Sequence, residues 1–183
     1  MKILTVTGYK PMEMNIFKPD DERIQFIKEA MRKRIIALIE EGLEWILVSG
    51  QMGVELWTAE TVMGLKDLYD INLGLIPPFE GQASRWPEQL QQVYEELTVT
   101  ADFCQPLYRG GYKGPYQFKA RDKWLISKSD ACLILLDEEY QGSTQFFYKE
   151  ASQTANYPIF TVTPSDIQDV VEEIRMQDPA YWE

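Results

Sequence analysis

Residues 45–55, Trp45-Ile46-Leu47-Val48-Ser49-Gly50-Gln51-Met52-Gly53-Val54-Glu55, decide how this chain folds. Four bulky apolar residues make a short buried strand that stops at serine and glycine. Apolar positions then recur at helical spacing through Val54, Trp57, Thr61, Val62, Leu65 and Leu68. A strand that turns at once into a helix aims unpaired backbone N–H groups and the positive end of a helix dipole at one point above the sheet edge. That geometry suits a phosphate. A second junction of the same kind runs from Ala131 to Leu136 and on to Gly142-Ser143-Thr144, adding two hydroxyl groups at a helix start.

Strands and helices alternate on both sides of this stretch. Lys2 to Thr7 reads as a first strand, ending at Gly8-Tyr9-Lys10-Pro11. From Asp20, the positions Ile24, Ile27, Met31, Ile35, Leu38 and Ile39 fall at three- and four-residue steps, a helix closed by Gly42. Leu73 to Ile76 is a strand stopped by Pro77-Pro78, Arg85 to Leu97 a helix, and Ala101 to Leu107 a short strand. Tyr108 to Tyr116 is a loop, Phe118 to Lys128 a helix, Ala131 to Asp137 a central strand and Ser143 to Ala155 a helix. Ile159 to Val162 is the last strand, after which Thr163 caps a helix with Pro164 in its first turn. Short strands without polar alternation, separated by helices, predict an α/β fold: a doubly wound, mainly parallel sheet with helices on both faces. We expect one domain over residues 1–175 and a loosely held tail over 176–183. Ligands of such sheets sit at the carboxyl ends of the strands, near a switch in strand order.

Bulk composition narrows the chemistry. A chain of 183 residues with 45% hydrophobic content fits one full core. The net charge of −11 argues against duplex nucleic acid, which demands clustered Lys and Arg. Lys28, Arg32, Lys33 and Arg34 are close in sequence and read as the solvated face of a helix. No apolar run approaches the roughly 20 residues of a membrane span, and MKILTVTGYK lacks a signal-peptide core. The expectation is a cytoplasmic protein with no membrane partner. Its two cysteines, Cys104 and Cys132, read as reduced thiols. The absence of histidine removes Ser-His-Asp and Cys-His catalysis and zinc sites of the Cys/His type. Glu138-Glu139 reads as a solvated turn, so no metal site is expected beyond a divalent ion arriving with a diphosphate.

Neither a G-x-G-x-x-G fingerprint nor a G-x-x-x-x-G-K-[ST] loop is present. The candidate ligand residues are therefore those of the turns: Gly8, Tyr9, Ser49, Gly50, Gln51, Gly53, Glu55, Gly142, Ser143 and Thr144. Glu55 has two readings. It accepts ribose hydroxyls or acts as a base, or it complements the helix dipole, worth about 0.3–1 kcal/mol. Tyr9, Trp86, Tyr108 and Tyr116 lie in or beside loops where an adenine could stack, whereas Trp57 falls on the apolar side of its helix.

Three segments carry a family resemblance: Val48-Ser49-Gly50-Gln51-Met52-Gly53-Val54-Glu55, Phe118-Lys119-Ala120-Arg121-Asp122-Lys123-Trp124-Leu125-Ile126 before Ser129-Asp130-Ala131, and Gly142-Ser143-Thr144. In this order they resemble the core of DNA processing protein A and the Lonely Guy phosphoribohydrolases, members of the SLOG superfamily of Rossmann-like domains. Thr7-Gly8-Tyr9-Lys10-Pro11 and Glu41-Gly42-Leu43-Glu44-Trp45-Ile46-Leu47-Val48-Ser49-Gly50-Gln51 resemble the small bacterial YpsA family. The resemblance implies a ligand such as NAD or ADP-ribose, with Gly53 and Glu55 matching a characteristic pair and Arg121 matching the superfamily's arginine, suited to gripping a diphosphate. It also implies a homodimer, and a regulatory or sensor role linked to bacterial cell division or stress signalling. The Lonely Guy glutamate of P-G-G-x-G-T-x-x-E has no counterpart, because Gln145, Phe146 and Phe147 follow Thr144. A nucleotide N-glycosidase would therefore rest on Glu55. A single-strand DNA binder of the DNA-processing type conflicts with the overall charge.

Overall fold

The computed structural model describes residues 1–182; Glu183, the last residue of the expected tail, lies outside the described residues. The strands are β1 (Ile3–Thr7), β2 (Trp45–Val48), β3 (Asn72–Leu75), β4 (Phe103–Cys104), β5 (Ala131–Leu135) and β6 (Ile159–Val162). All pairs are parallel, in the order β4-β3-β2-β1-β5-β6. The helices are α1 (Glu22–Glu40), α2 (Val54–Leu65), α3 (Glu88–Thr100), α4 (Tyr116–Lys128), α5 (Thr144–Ser152) and α6 (Pro164–Gln177), with 3-10 turns at Pro11–Met14 and Pro179–Trp182. This is the Rossmann-like α/β architecture expected from the alternating pattern.

The helices divide between the two faces because the strands are apolar on both sides. β5 reads Ala131-Cys132-Leu133-Ile134-Leu135 and every residue is buried. Leu133 and Leu135 join the core formed with α1, α2, α3 and α6, whereas Cys132 and Ile134 pack with Leu125 and Ile126 of α4 and Phe147 and Ala151 of α5. Thr5 of β1 is fully buried on the α4 face, where its hydroxyl donates to Leu125 O at 3.3 Å and Ser129 Oγ at 3.0 Å. β1 enters the sheet through Asp130, whose carboxylate accepts the N–H groups of Lys2 and Ile3 at 2.8 and 2.9 Å.

Several boundaries differ from the sequence reading by a few residues, and the edge strand and the C-terminal helix differ for local reasons. The strand expected over Ala101–Leu107 forms a ladder only at Phe103–Cys104, an edge position in a segment containing Pro106. Its continuation survives as single bonds, Gln105 N–H to Leu75 O and Leu107 N–H to Pro77 O. At the other end of the chain, α6 runs to Gln177, past the position where a loose tail was expected to start, and the Trp182 indole N–H donates to Met176 O at 2.8 Å.

β1 is flanked by β2 on one side and β5 on the other, so the chain reverses its direction of travel across the sheet beside β1. The loops leaving β1, β2 and β5 meet at this point, and they carry the candidate residues.

Candidate functional site

The loop after β2 is shaped by glycine. Gly53 caps α2 with φ 96° and ψ −136°, a conformation that side-chain-bearing residues avoid. A Cβ there would stand 2.3 Å from Tyr9 O and 2.9 Å from both Lys10 Cα and Pro11 Cδ. The β1 loop therefore lies directly on the head of α2, fastened by the Val54 N–H to Tyr9 O bond of 3.1 Å. Gly8 contributes from below, its Cα close against the Val54 side chain.

Glu55, in the first turn of α2, is only 6% exposed. Its carboxylate accepts the Ser49 N–H at 2.7 Å, the Ser49 hydroxyl at 2.8 Å and the Thr7 hydroxyl at 3.2 Å, bracing the ends of β1 and β2. Burial pushes this carboxyl above its ordinary value, while the positive charge of Arg121 and the Ser49 bonds pull the other way. Arg121 comes from α4, on the opposite face of the sheet. Its guanidinium pairs with the adjacent Asp122 at 2.9 Å and lies 5.3 Å from the centroid of the Phe118 ring. Asp122 is itself buried, and burial raises its carboxyl despite Arg121. The carboxyl rim thus gathers two buried acids and one arginine from two helices.

The N–H groups of Gly50, Gln51 and Gly53 meet no acceptor among the described residues. Ser49 O is already occupied, accepting from Gln82 Nε2 at 2.7 Å, and Gln51 turns its own Oε1 onto the Met52 N–H at 3.0 Å. Here the unpaired donors expected at the first junction are present.

At the second junction the donors are taken. The Glu13 carboxylate, from the 3-10 turn, accepts the Ser143 N–H and the Ser143 hydroxyl, each at 2.8 Å, and the Lys10 N–H at 2.8 Å. Gly142, at φ 52°, leaves the room: a Cβ would lie 2.7 Å from Glu13 Oε1. Thr144 is buried and its hydroxyl turns back onto Gln141 O. The Tyr9 ring, 3% exposed, stacks with Tyr140 at 6.1 Å between centroids. Its oxygen accepts the Asp137 N–H at 2.9 Å and donates to Tyr140 O at 2.5 Å. Tyr9 therefore stitches the β1 loop to the β5 loop, with its ring already covered.

Gly53 and Ser143 thus lie on either side of one segment, Tyr9 to Glu13, at the strand-order switch. Sequence reasoning missed Glu13, Asp122 and Gln82. Asp122 was legible as the neighbour of Arg121; Glu13 and Gln82 act across 130 and 33 residues, and no local pattern marks them. No three His, Cys, Asp or Glu side chains converge in a metal-binding arrangement among the described residues. Two depressions elsewhere, of about 390 Å³ lined by Lys66 to Asn72 and about 270 Å³ between α1 and α6, contain none of these residues.

A family model described as the YspA SLOG family matches residues 4–167. The chain belongs to the YpsA family. A UPF0398 protein of Oceanobacillus iheyensis is 63% identical over 184 residues, covering 100% of each chain. The UPF0398 protein YpsA of Bacillus subtilis is 42% identical over 177 residues, 94% of this chain and 98% of that one. Among solved structures, DNA processing protein A from Helicobacter pylori, described as binding single-stranded DNA, superposes with a TM-score of 0.58 at 15% identity, covering 94% of this chain and 80% of that one. At that identity the likeness shows the SLOG-type fold alone. Among the described residues of this YpsA-family chain, no helix is long and apolar enough to cross a membrane.

Proposed function

We propose that this rim binds a nucleotide-type ligand, NAD, ADP-ribose or a relative, and that the protein is a cytoplasmic regulatory or sensor domain linked to bacterial cell division or stress signalling. One observation carries the reading: unpaired N–H groups of Gly50, Gln51 and Gly53 at the head of α2, beside the buried Glu55 and the Arg121 guanidinium. A diphosphate would take the loop N–H groups and the helix dipole, with Arg121 adding charge, and Glu55 would accept ribose hydroxyls. Self-association into a homodimer belongs to the same proposal and is read by sedimentation.

Thermal denaturation across a nucleotide panel tests it. A ligand at 100 times its dissociation constant adds about 2.7 kcal/mol, which for a chain of this size raises the midpoint by roughly 5–11 °C. Arg121→Ala and Glu55→Ala should abolish the shift. A flat panel with the wild-type protein overturns the proposal.

A second reading is an N-glycosidase. It is favoured by the same Glu55, a buried carboxyl whose hold on its proton is strengthened, as a general acid or base requires. Incubation with NAD, ADP-ribose and nucleoside monophosphates would then release free base or ribose phosphate, and Glu55→Gln would stop it. Intact nucleotide recovered after binding leaves the sensor reading.

A further inference from the structure

The chain's charge is unevenly distributed. Residues 105–128 hold Arg109, Lys113, Lys119, Arg121, Lys123 and Lys128 against a single acid, Asp122, in a protein whose total is 18 basic to 29 acidic residues. Asp122 is already paired with Arg121. Arg109, Lys113 and Lys119 are exposed and form no ion pair among the described residues. The loop between β4 and α4, which carries Arg109 and Lys113, and the first turn of α4, which carries Lys119, thus make a cationic surface on an acidic molecule, with Glu80 as the acid bound to the loop.

This loop is rigidly built. Gln117, fully buried, accepts the Lys113 N–H at 2.7 Å and donates to Gly111 O at 3.3 Å. The loop is also tied to the β3–α3 connection, through Glu80 N–H to Tyr108 O at 3.1 Å and Gly110 N–H to Glu80 Oε2 at 3.0 Å. Tyr112 rests against Phe79 and Phe118, with centroids 5.5 and 5.6 Å away, and those two rings lie 5.8 Å apart. Yet Tyr112 is 55% exposed, and its hydroxyl makes no hydrogen bond among the described residues. An aromatic ring held still by two others, but half open to water, loses little entropy when a flat partner covers it. Phe118 connects it to the site, because the same ring lies beneath the Arg121 guanidinium.

We propose that Tyr112 is the surface on which the base of the nucleotide stacks, and that Arg109, Lys113 and Lys119 supply the charge that favours ligands carrying several phosphates. This rests on the nucleotide reading above and names its missing half: the groups at the head of α2 hold phosphate and ribose, and the β4–α4 loop selects the base. The ligand class is accordingly an aromatic base joined to at least two phosphates.

Calorimetric titration of the full chain with ADP-ribose, and separately with inorganic pyrophosphate, tests it. Removing one stacked base by alanine substitution costs about 1–3 kcal/mol, so Tyr112→Ala should weaken ADP-ribose binding roughly 5- to 150-fold and leave pyrophosphate unchanged. Tyr112→Phe should bind as the wild type does. Lys113→Gln should weaken both ligands and flatten their salt dependence. Tyr112→Ala with wild-type affinity for ADP-ribose overturns the stacking surface and leaves the nucleotide site standing, as does an equal loss for pyrophosphate, which would make the ring a structural support. Wild-type protein that binds neither probe overturns both.

Discussion

Replacing Gly53 by alanine tests the packing on which the site depends. Two costs add at this position. The backbone conformation, φ 96° and ψ −136°, is one that only glycine occupies freely, and forcing a side chain into it costs about 1–3 kcal/mol. The new methyl would also stand 2.3 Å from Tyr9 O, so the β1 loop must retreat, at about 1–3 kcal/mol for overpacking. Taking about 4 kcal/mol together, the thermal midpoint should fall by roughly 8–16 °C. Gly42→Ala is the control. Its φ of 112° imposes similar backbone strain, but a Cβ there meets nothing within 4 Å. Urea denaturation of both variants, read as midpoint shifts at constant slope, should show Gly53→Ala about 2 kcal/mol worse than Gly42→Ala. Equal losses would refute the argument that the β1 loop is pressed onto the head of α2.

Four further outcomes follow from the structure. Glu55 and Asp122 have carboxyls raised by burial, so the folded protein binds their protons more tightly than the unfolded chain. Their contribution therefore falls as pH rises from the ordinary carboxylate range through the raised values, and urea midpoints of Glu55→Gln should lack part of that decline. Asp130 has the opposite sign: the N–H groups of Lys2 and Ile3 lower its carboxyl, so its support is present above the unfolded value and lost as pH falls through the lowered one, a loss that Asp130→Asn should remove. A double-mutant cycle of Glu13→Ala and Ser143→Ala isolates the hydroxyl bond, since the Ser143 N–H bond survives the substitution, and should give a coupling of about 1.5–3 kcal/mol, as for a hydrogen bond to a charged group. A coupling of zero would mean that the Ser143 hydroxyl adds nothing to the hold of Glu13 on the second junction. Leu133→Ala, in the fully buried centre of β5, should cost about 2–5 kcal/mol by chemical denaturation.

The fold was legible because its information is local. Trp45 to Val48 and Ile159 to Val162 announce strands by apolar run and length, and Thr163 with Pro164 announces a helix start that the structure realises with a capping box. Pro87, at the N-cap of α3, moved the start of that helix to Glu88, three residues beyond the expected Arg85. The site was legible only in part. Glycines and hydroxyls at strand ends marked where donors would gather, but which of them stay unpaired depends on acids arriving from elsewhere. Glu13 fills the Ser143 donors across 130 residues of chain, and nothing within a window around either residue encodes that meeting. Gln117 was similarly hidden: a polar residue in the first turn of a helix is common, and only complete burial reveals it as the brace of its loop.

The position of β1 between β2 and β5 has a consequence for biosynthesis. Every strand pair of the described sheet is parallel, so each neighbour must wait for an intervening helix. The partner on one flank of β1 is made promptly, at residue 45, but the other is not synthesised until residue 131. Throughout most of translation the nascent chain therefore displays an open, apolar edge in what will become the middle of the sheet, the kind of surface that invites mispairing with other chains. Refolding from denaturant should be correspondingly slow for its length and sensitive to protein concentration, because the decisive pairing joins the first strand to the fifth.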